Sequence, residues 1–180
     1  MIPFDDGELP AADAAEVLPL TGDLVLQAGN NLNGIVSGYA DRRGSGHRGD
    51  DDRRHRHGRG YGFGSGLIAI QSNTGTLLRI DPRTGETDAL ELDGEPLVNG
   101  DGIELDRHGR LWVLRNSDNL LVEVRLGHRS ASVEDANRYE GFDVPSTGTL
   151  LRDSFYAVNA RFGIQMPETA EFWITRVELD

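Results

Sequence analysis

The stretch "VNGDGIELDRHGRLWVLRNSDNLLVEV", residues 98–124, holds two runs of alternating apolar residues, each opened or closed by Gly, Asn or Asp. Runs of this length with turn residues at their ends read as short β-strands joined by hairpins. The pattern is repeated on either side. "GLIAIQSNTGTLLRID" starts at Gly66, "RLWVLRNSDNLLVEVR" at Arg110 and "SFYAVNARFG" at Ser154, so Leu67, Leu111 and Phe155 recur every 44 residues.

Each repeat predicts a strand, a polar turn and a second strand: 67–71 and 76–80, 111–115 and 120–124, 155–159 and 172–179. A shorter strand precedes each pair, in "NGIVSG", "DGIELD" and "GTLLRD". After the first pair, "DPRTGE" supplies Pro82 and Gly85 for a hairpin into "TDALEL", a fourth strand. Four short antiparallel strands in each repeat of this length are the signature of a β-propeller blade. The expectation is therefore an all-β fold, a β-propeller of four-stranded antiparallel blades over residues 1–180, covering roughly the last two and a half to three blades of six. On that reading Met1 marks a truncated reading frame, a split gene or an internal start. The competing reading is a compact three-sheet β domain complete in itself. "ELPAADAAEV" offers a turn or two of helix at most, since Pro10 and the lack of a wide apolar stripe favour a loop.

Residues 41–66, "DRRGSGHRGDDDRRHRHGRGYGFGSG", interrupt the first repeat between its first and second strands. Rich in Gly, Arg, Asp and His and almost without aliphatics, this segment buries too little apolar surface to order itself and reads as a disordered loop. His55 and His57, with His47 nearby, can bind a transition metal, but a solvated polar loop is the simpler reading. "RGYGFGSG" carries one aromatic pair of the kind that stacks on single-stranded RNA, set in an acidic protein.

The formal net charge is −12, with 18 basic residues, all of them Arg, against 30 acidic ones. That balance argues against nucleic-acid and anionic-membrane partners, which are recognised first through basic surface. Without cysteine there is no disulfide, thiolate metal site or cysteine nucleophile. No apolar run approaches the roughly 20 residues that cross a bilayer, and the N-terminus has no basic segment followed by an apolar one, so the chain as written reads as cytoplasmic.

In a propeller blade the first strand is innermost, and residues at its start converge on one mouth of the central channel. Asn33 and Asp101 take that position, bringing an amide oxygen and a carboxylate to one rim, and oxygens of this kind bind hard cations. The turns between second and third strands open at the same mouth and add Asn116, Asn159 and Arg161 as candidate substrate-binding groups. The plainer reading of Asn33-Gly34 and Asp101-Gly102 is turn chemistry. Two oxygens are also fewer than the 6–8 that calcium takes or the roughly four ligands of zinc, waters included. "GSG" at 44–46 and 64–66 lacks the strand-turn-helix setting of a serine nucleophile. Trp112, between Leu111 and Val113, reads as packing between blades rather than as a ligand platform, and His108 and His128 fall in predicted turns.

An "NG" turn and a later "DG" turn opening successive blades, followed by "D..GRLWV", resembles the gluconolactonase, regucalcin and senescence-marker-protein family of six-bladed propellers, and more loosely the strictosidine synthase-like proteins. The resemblance covers nearly the whole chain apart from the insertion. It implies that Asn33 and Asp101 bind a divalent cation, calcium or zinc, and that Asp101 is the proton acceptor. The remaining two ligands of that family, a Glu and an Asn, would belong to earlier blades, and 44 residues beyond Asp101 stands Pro145. The implied activity is metal-dependent hydrolysis of a small lactone or ester, weak or absent in this chain alone; the alternative is a non-catalytic propeller segment that binds a partner. Relatives in that group are often secreted. Open blade edges also predict self-association.

Overall fold

The computed structural model of the chain describes residues 14–37, 66–165 and 167–179. The insertion at 41–66, with His47, His55 and His57, lies outside them apart from Gly66, as does most of "ELPAADAAEV".

Among the described residues thirteen strands make three sheets and no α-helix forms. The first sheet contains β1 (Thr21–Gly22), β2 (Leu32–Ser37), β3 (Leu67–Gln71), β4 (Thr76–Ile80) and β5 (Glu86–Ala89), in the order β1-β5-β4-β3-β2. The second contains β6 (Glu91–Asp93), β7 (Gly100–Leu105), β8 (Arg110–Arg115), β9 (Leu120–Leu126) and β10 (Ser130–Arg138), in the order β6-β10-β9-β8-β7. The third is β11 (Pro145–Leu151), β12 (Ser154–Asn159) and β13 (Ile174–Glu178). The expected strands at 67–71, 111–115 and 155–159 therefore hold equivalent places, second from the inner edge of the first two sheets and central in the third.

The four-stranded antiparallel expectation needs one correction. The first two sheets each carry a fifth, outer strand that runs parallel to its neighbour: β1 beside β5, and β6 beside β10. "TDALEL" is not one strand either. It divides at buried Leu90, so that β5 belongs to the first sheet, between β4 and β1, and β6 forms the outer edge of the second. The N–H of Leu90 donates to the Leu77 carbonyl in the first sheet, and that of Glu91 to the Arg129 carbonyl in the second.

Two cores separate the three sheets. Ile68, Ile70 and Leu77 meet Leu111, Val113, Val122 and Val124 in one; Trp112, Leu114 and Leu121 meet Phe155, Ala157 and Val177 in the other. Strand β8 thus sends alternate side chains to opposite neighbours, which is why "LWVL" is continuously apolar. Trp112 is a core residue, as its alternation predicts.

The innermost strands β2, β7 and β11 lie next to one another. A Cβ on Gly34 would come 2.3 Å from the Asp101 carbonyl oxygen, and one on Gly102 would come 2.7 Å from Cα of Thr147. Both distances are too short for any side chain, so glycine here permits the close approach of successive sheets.

Candidate functional site

The "NG" and "DG" dipeptides are not hairpin turns. In β2, Leu32 pairs with Gln71 and Ile35 with Ala69, so Asn33 and Gly34 together oppose one residue of β3. In β7, Gly100 pairs with Arg115 and Ile103 with Val113, leaving Asp101 and Gly102 in the same arrangement. These are β-bulges, which turn a side chain out of the regular alternation and recur beside functional sites. A third bulge lies in β11, where Pro145 pairs with Asn159 and Thr147 with Val158. The residue equivalent to Asp101 is therefore Ser146, one place beyond the Pro145 that the 44-residue spacing picks out.

Asp101 is only 8% exposed. Nδ2 of Asn116 donates to its Oδ2 at 2.8 Å. Burial pushes the Asp101 carboxyl above its ordinary range, and hydrogen bonds from the Asn116 and Asn33 side chains offset only part of that rise. Asn33 also donates through Nδ2 to Oγ of Ser72 at 3.3 Å, and the Ser72 hydroxyl in turn donates to the Gly100 carbonyl. Two sheets thereby tie their inner strands together at one polar point.

Asn116 opens a short 3-10 turn, Asn116–Asp118, directly after β8. Its Oδ1 accepts from the backbone N–H of Ser117 at 2.6 Å and from the Ser117 hydroxyl at 3.1 Å, which orients the amide with its N–H side towards Asp101. Asp118 closes the turn by accepting from Arg115 at 2.8 Å and from Asn99 at 3.2 Å.

The structure brings Asn33, Asp101 and Asn116 together. Asn159 is 1% exposed, and its amide is occupied within the third sheet: Oδ1 accepts from Asp143 N–H, while Nδ2 donates to Thr175 Oγ1 and the Trp173 carbonyl. Arg161 donates to Asp143 at 2.6 Å and to the Glu171 carbonyl at 2.7 Å, with its guanidinium 4.7 Å over the Trp173 ring. None of these bonds reaches Asp101. Ser72, which sequence reasoning missed, carries a legible signal: it stands 44 residues before Asn116.

Of the two groups expected to hold a cation, Asp101 presents its carboxylate, whereas the Asn33 side chain, like that of Asn116, meets that carboxylate as a hydrogen-bond donor. Among the described residues no three His, Cys, Asp or Glu side chains cluster as metal ligands. The donor set fits calcium in part: the Asp101 carboxylate, with an Asn33 oxygen only if that amide turned over, would leave most of the coordination to water or other groups.

No family model matches the chain, and no curated protein sequence matches it significantly. Among solved structures, it aligns with a catalytically inactive variant of virginiamycin B lyase from Staphylococcus aureus with quinupristin, at 15% identity and a TM-score of 0.46. The alignment covers 82% of this chain and 41% of that one, so the chain spans less than half the length of that protein.

Proposed function

We propose that this chain forms an arc of a β-propeller, and that the arc contributes Asp101 and Asn33 to a divalent-cation site, calcium or zinc, for hydrolysis of a small lactone or ester. One observation carries the reading: equivalent bulges on two adjacent inner strands bring an amide and a buried carboxylate to the same point. Consecutive sheets joined through their innermost strands are the geometry of propeller blades.

The cation's contribution would be to polarise the substrate carbonyl. Asp101 is suited to take a proton from the attacking water, because its desolvated carboxylate gains by neutralisation. The oxygen of that water bonds to the carbonyl carbon, the ring or ester C–O bond breaks, and the proton passes from Asp101 to the departing oxygen. Asn116 holds the carboxylate in place throughout by a bond its own Ser117 contacts keep aligned. Asn159 and Arg161 would line the same mouth only if a substrate extended towards the third sheet.

Calorimetric titration with calcium tests the site. Binding in the millimolar range is expected, matching the weakest protein calcium modules at roughly 10⁻⁴–10⁻³ M, and Asp101→Ala should remove it. Unchanged binding in that variant would overturn the assignment.

A second reading, partner binding without catalysis, is favoured by the outward face of the third sheet. Leu151, Val158 and Ile174 are exposed on it, with exposed Phe172 two residues before β13. Sedimentation of the isolated chain should show dimers or larger species; a monomer at all concentrations would weigh against open blade edges that associate.

A further inference from the structure

The three bulges belong to a larger repeated arrangement, and the third copy is incomplete in one informative way. The backbone N–H groups of Ser72, Asn116 and Ala160 donate to the carbonyls of Asn31, Asn99 and Val144, at 2.9, 3.0 and 3.1 Å. Each pair joins the residue after a second strand to the residue just before its inner bulged segment. Ser72, Asn116 and Ala160 are thus equivalent positions, spaced like the strands they follow. Asn33, Asp101 and Ser146 are the equivalent bulge positions facing them.

In the first sheet the two positions are hydrogen-bonded to each other, Asn33 to Ser72 at 3.3 Å. In the second they are bonded again, Asn116 to Asp101 at 2.8 Å. Ala160 in the third sheet has no polar side-chain atom, so Ser146 lacks the partner its counterparts have. Among the described residues the Ser146 hydroxyl makes no hydrogen bond. Its backbone nevertheless lies hard against the second sheet: a Cβ on Gly102 would sit 2.8 Å from the Ser146 carbonyl oxygen, just as one on Gly34 would sit 2.3 Å from that of Asp101. Ser146 stands to Asp101 as Asp101 stands to Asn33.

Its approach is also held fixed. Val144 has φ of 51°, a left-handed conformation that β-branched residues rarely adopt, and its N–H donates to Oδ1 of Asn119 at 2.7 Å. Asn99 takes the same left-handed conformation ahead of the second bulge, with φ of 63°. The third bulge is therefore built to the same plan as the second, and only the inward partner has been withdrawn.

We propose that Ser146 is a third ligand-facing position of the site, its hydroxyl free to contact the group bound at Asp101. The inference rests on the cation reading above, but its geometry can be tested apart from it. A hydroxyl is a neutral oxygen ligand, and cation affinity in such sites rises with the number of charged ligands.

Calorimetric calcium titration of the whole chain, unliganded and freed of metal with chelator, is the experiment, using Ser146→Asp, Ser146→Ala, Asp101→Asn and the Ser146→Asp/Asp101→Asn pair. Ser146→Asp should tighten calcium binding by about tenfold or more, as expected from adding a carboxylate to a shared cation. Ser146→Ala should weaken it severalfold. The gain from Ser146→Asp should disappear in the Asp101→Asn background, because the two side chains reach the same ion. Ala160→Ser, which returns a hydroxyl partner to Ser146, should mimic Ser146→Ala and guards against misfolding of the aspartate variant.

The two readings fail differently. If the native chain binds no calcium but Ser146→Asp creates a site that requires Asp101, the cation reading falls and the Ser146 placement stands. If the native chain binds calcium through Asp101 and Ser146→Asp alters nothing, or tightens binding equally without Asp101, the Ser146 placement is wrong.

Discussion

Oδ2 of Asp101 accepts from Nδ2 of Asn116 at 2.8 Å, across the hairpin that joins β7 to β8. A carboxylate otherwise drawn away from water keeps part of its charge stabilised by this one bond. Asn116→Ala should therefore move the Asp101 carboxyl further above its ordinary range, read by carbon NMR titration in chelator. A carboxyl raised in the folded state binds more protons there than in the unfolded chain, so its contribution is greatest below the unfolded value and declines as pH rises through the folded one. Asp101→Asn should flatten that decline, and denaturant midpoints across the acidic range would show it. An unchanged profile would mean the burial is relieved elsewhere.

Asp106 has the opposite behaviour. Burial pushes its carboxyl up, but the Arg110 backbone and guanidinium and the His108 N–H together outweigh that and hold it below its usual range. The contribution is present above the unfolded value and is lost as pH falls through the depressed folded one. Asp106→Ala leaves three donors in the β7–β8 turn unanswered. A loss of about 2 kcal/mol is expected near neutrality from hydrogen bonds to a charged group, with a smaller difference in strong acid, measured by urea unfolding at both pH values.

Gly102→Ala should cost more than an ordinary glycine replacement. The new methyl would meet Cα of Thr147 at 2.7 Å and the Ser146 carbonyl oxygen at 2.8 Å, both backbone atoms that yield only if two sheets separate. A destabilisation of roughly 1–3 kcal/mol, the range for overpacking, should appear in thermal melts together with weaker calcium binding. Gly109→Ala is the control for space, since nothing lies within 4 Å of its Cβ, although its φ of 82° still strains an L residue.

Ser37 pairs with Leu67, and Val36 with Ile68, so the strands on either side of the insertion are already in register. Replacing residues 38–66 by a short Asn-Gly hairpin turn should leave the melting transition and the calcium response intact. Unfolding on replacement would show that the segment contributes to the fold.

The apolar alternation and its 44-residue return made the second strands legible, because each is buried against neighbours on a period that sequence displays directly. The bulges were not legible as bulges. Asn-Gly and Asp-Gly serve tight turns and bulged strands alike, and only the pairing of Leu32 with Gln71 and Ile35 with Ala69 decides between them. The same limit hides the third bulge: Pro145 lies at the 44-residue spacing from Asp101, whereas the pairing of Pro145 with Asn159 makes Ser146 the equivalent residue. Asn159 stands at the end of a strand, where the sequence points to the rim, but what its amide bonds is set by Asp143 and Thr175, distant in sequence.

Because Leu90 and Glu91 bond to different sheets through consecutive amides, the folding unit is offset from the sequence repeat. A cut made at the repeat boundary would strip the second sheet of its outer hem while leaving a dangling tail on the first. Opening either sheet at this corner must disturb the other, so these two amides should exchange with solvent together, as parts of one cooperative unit.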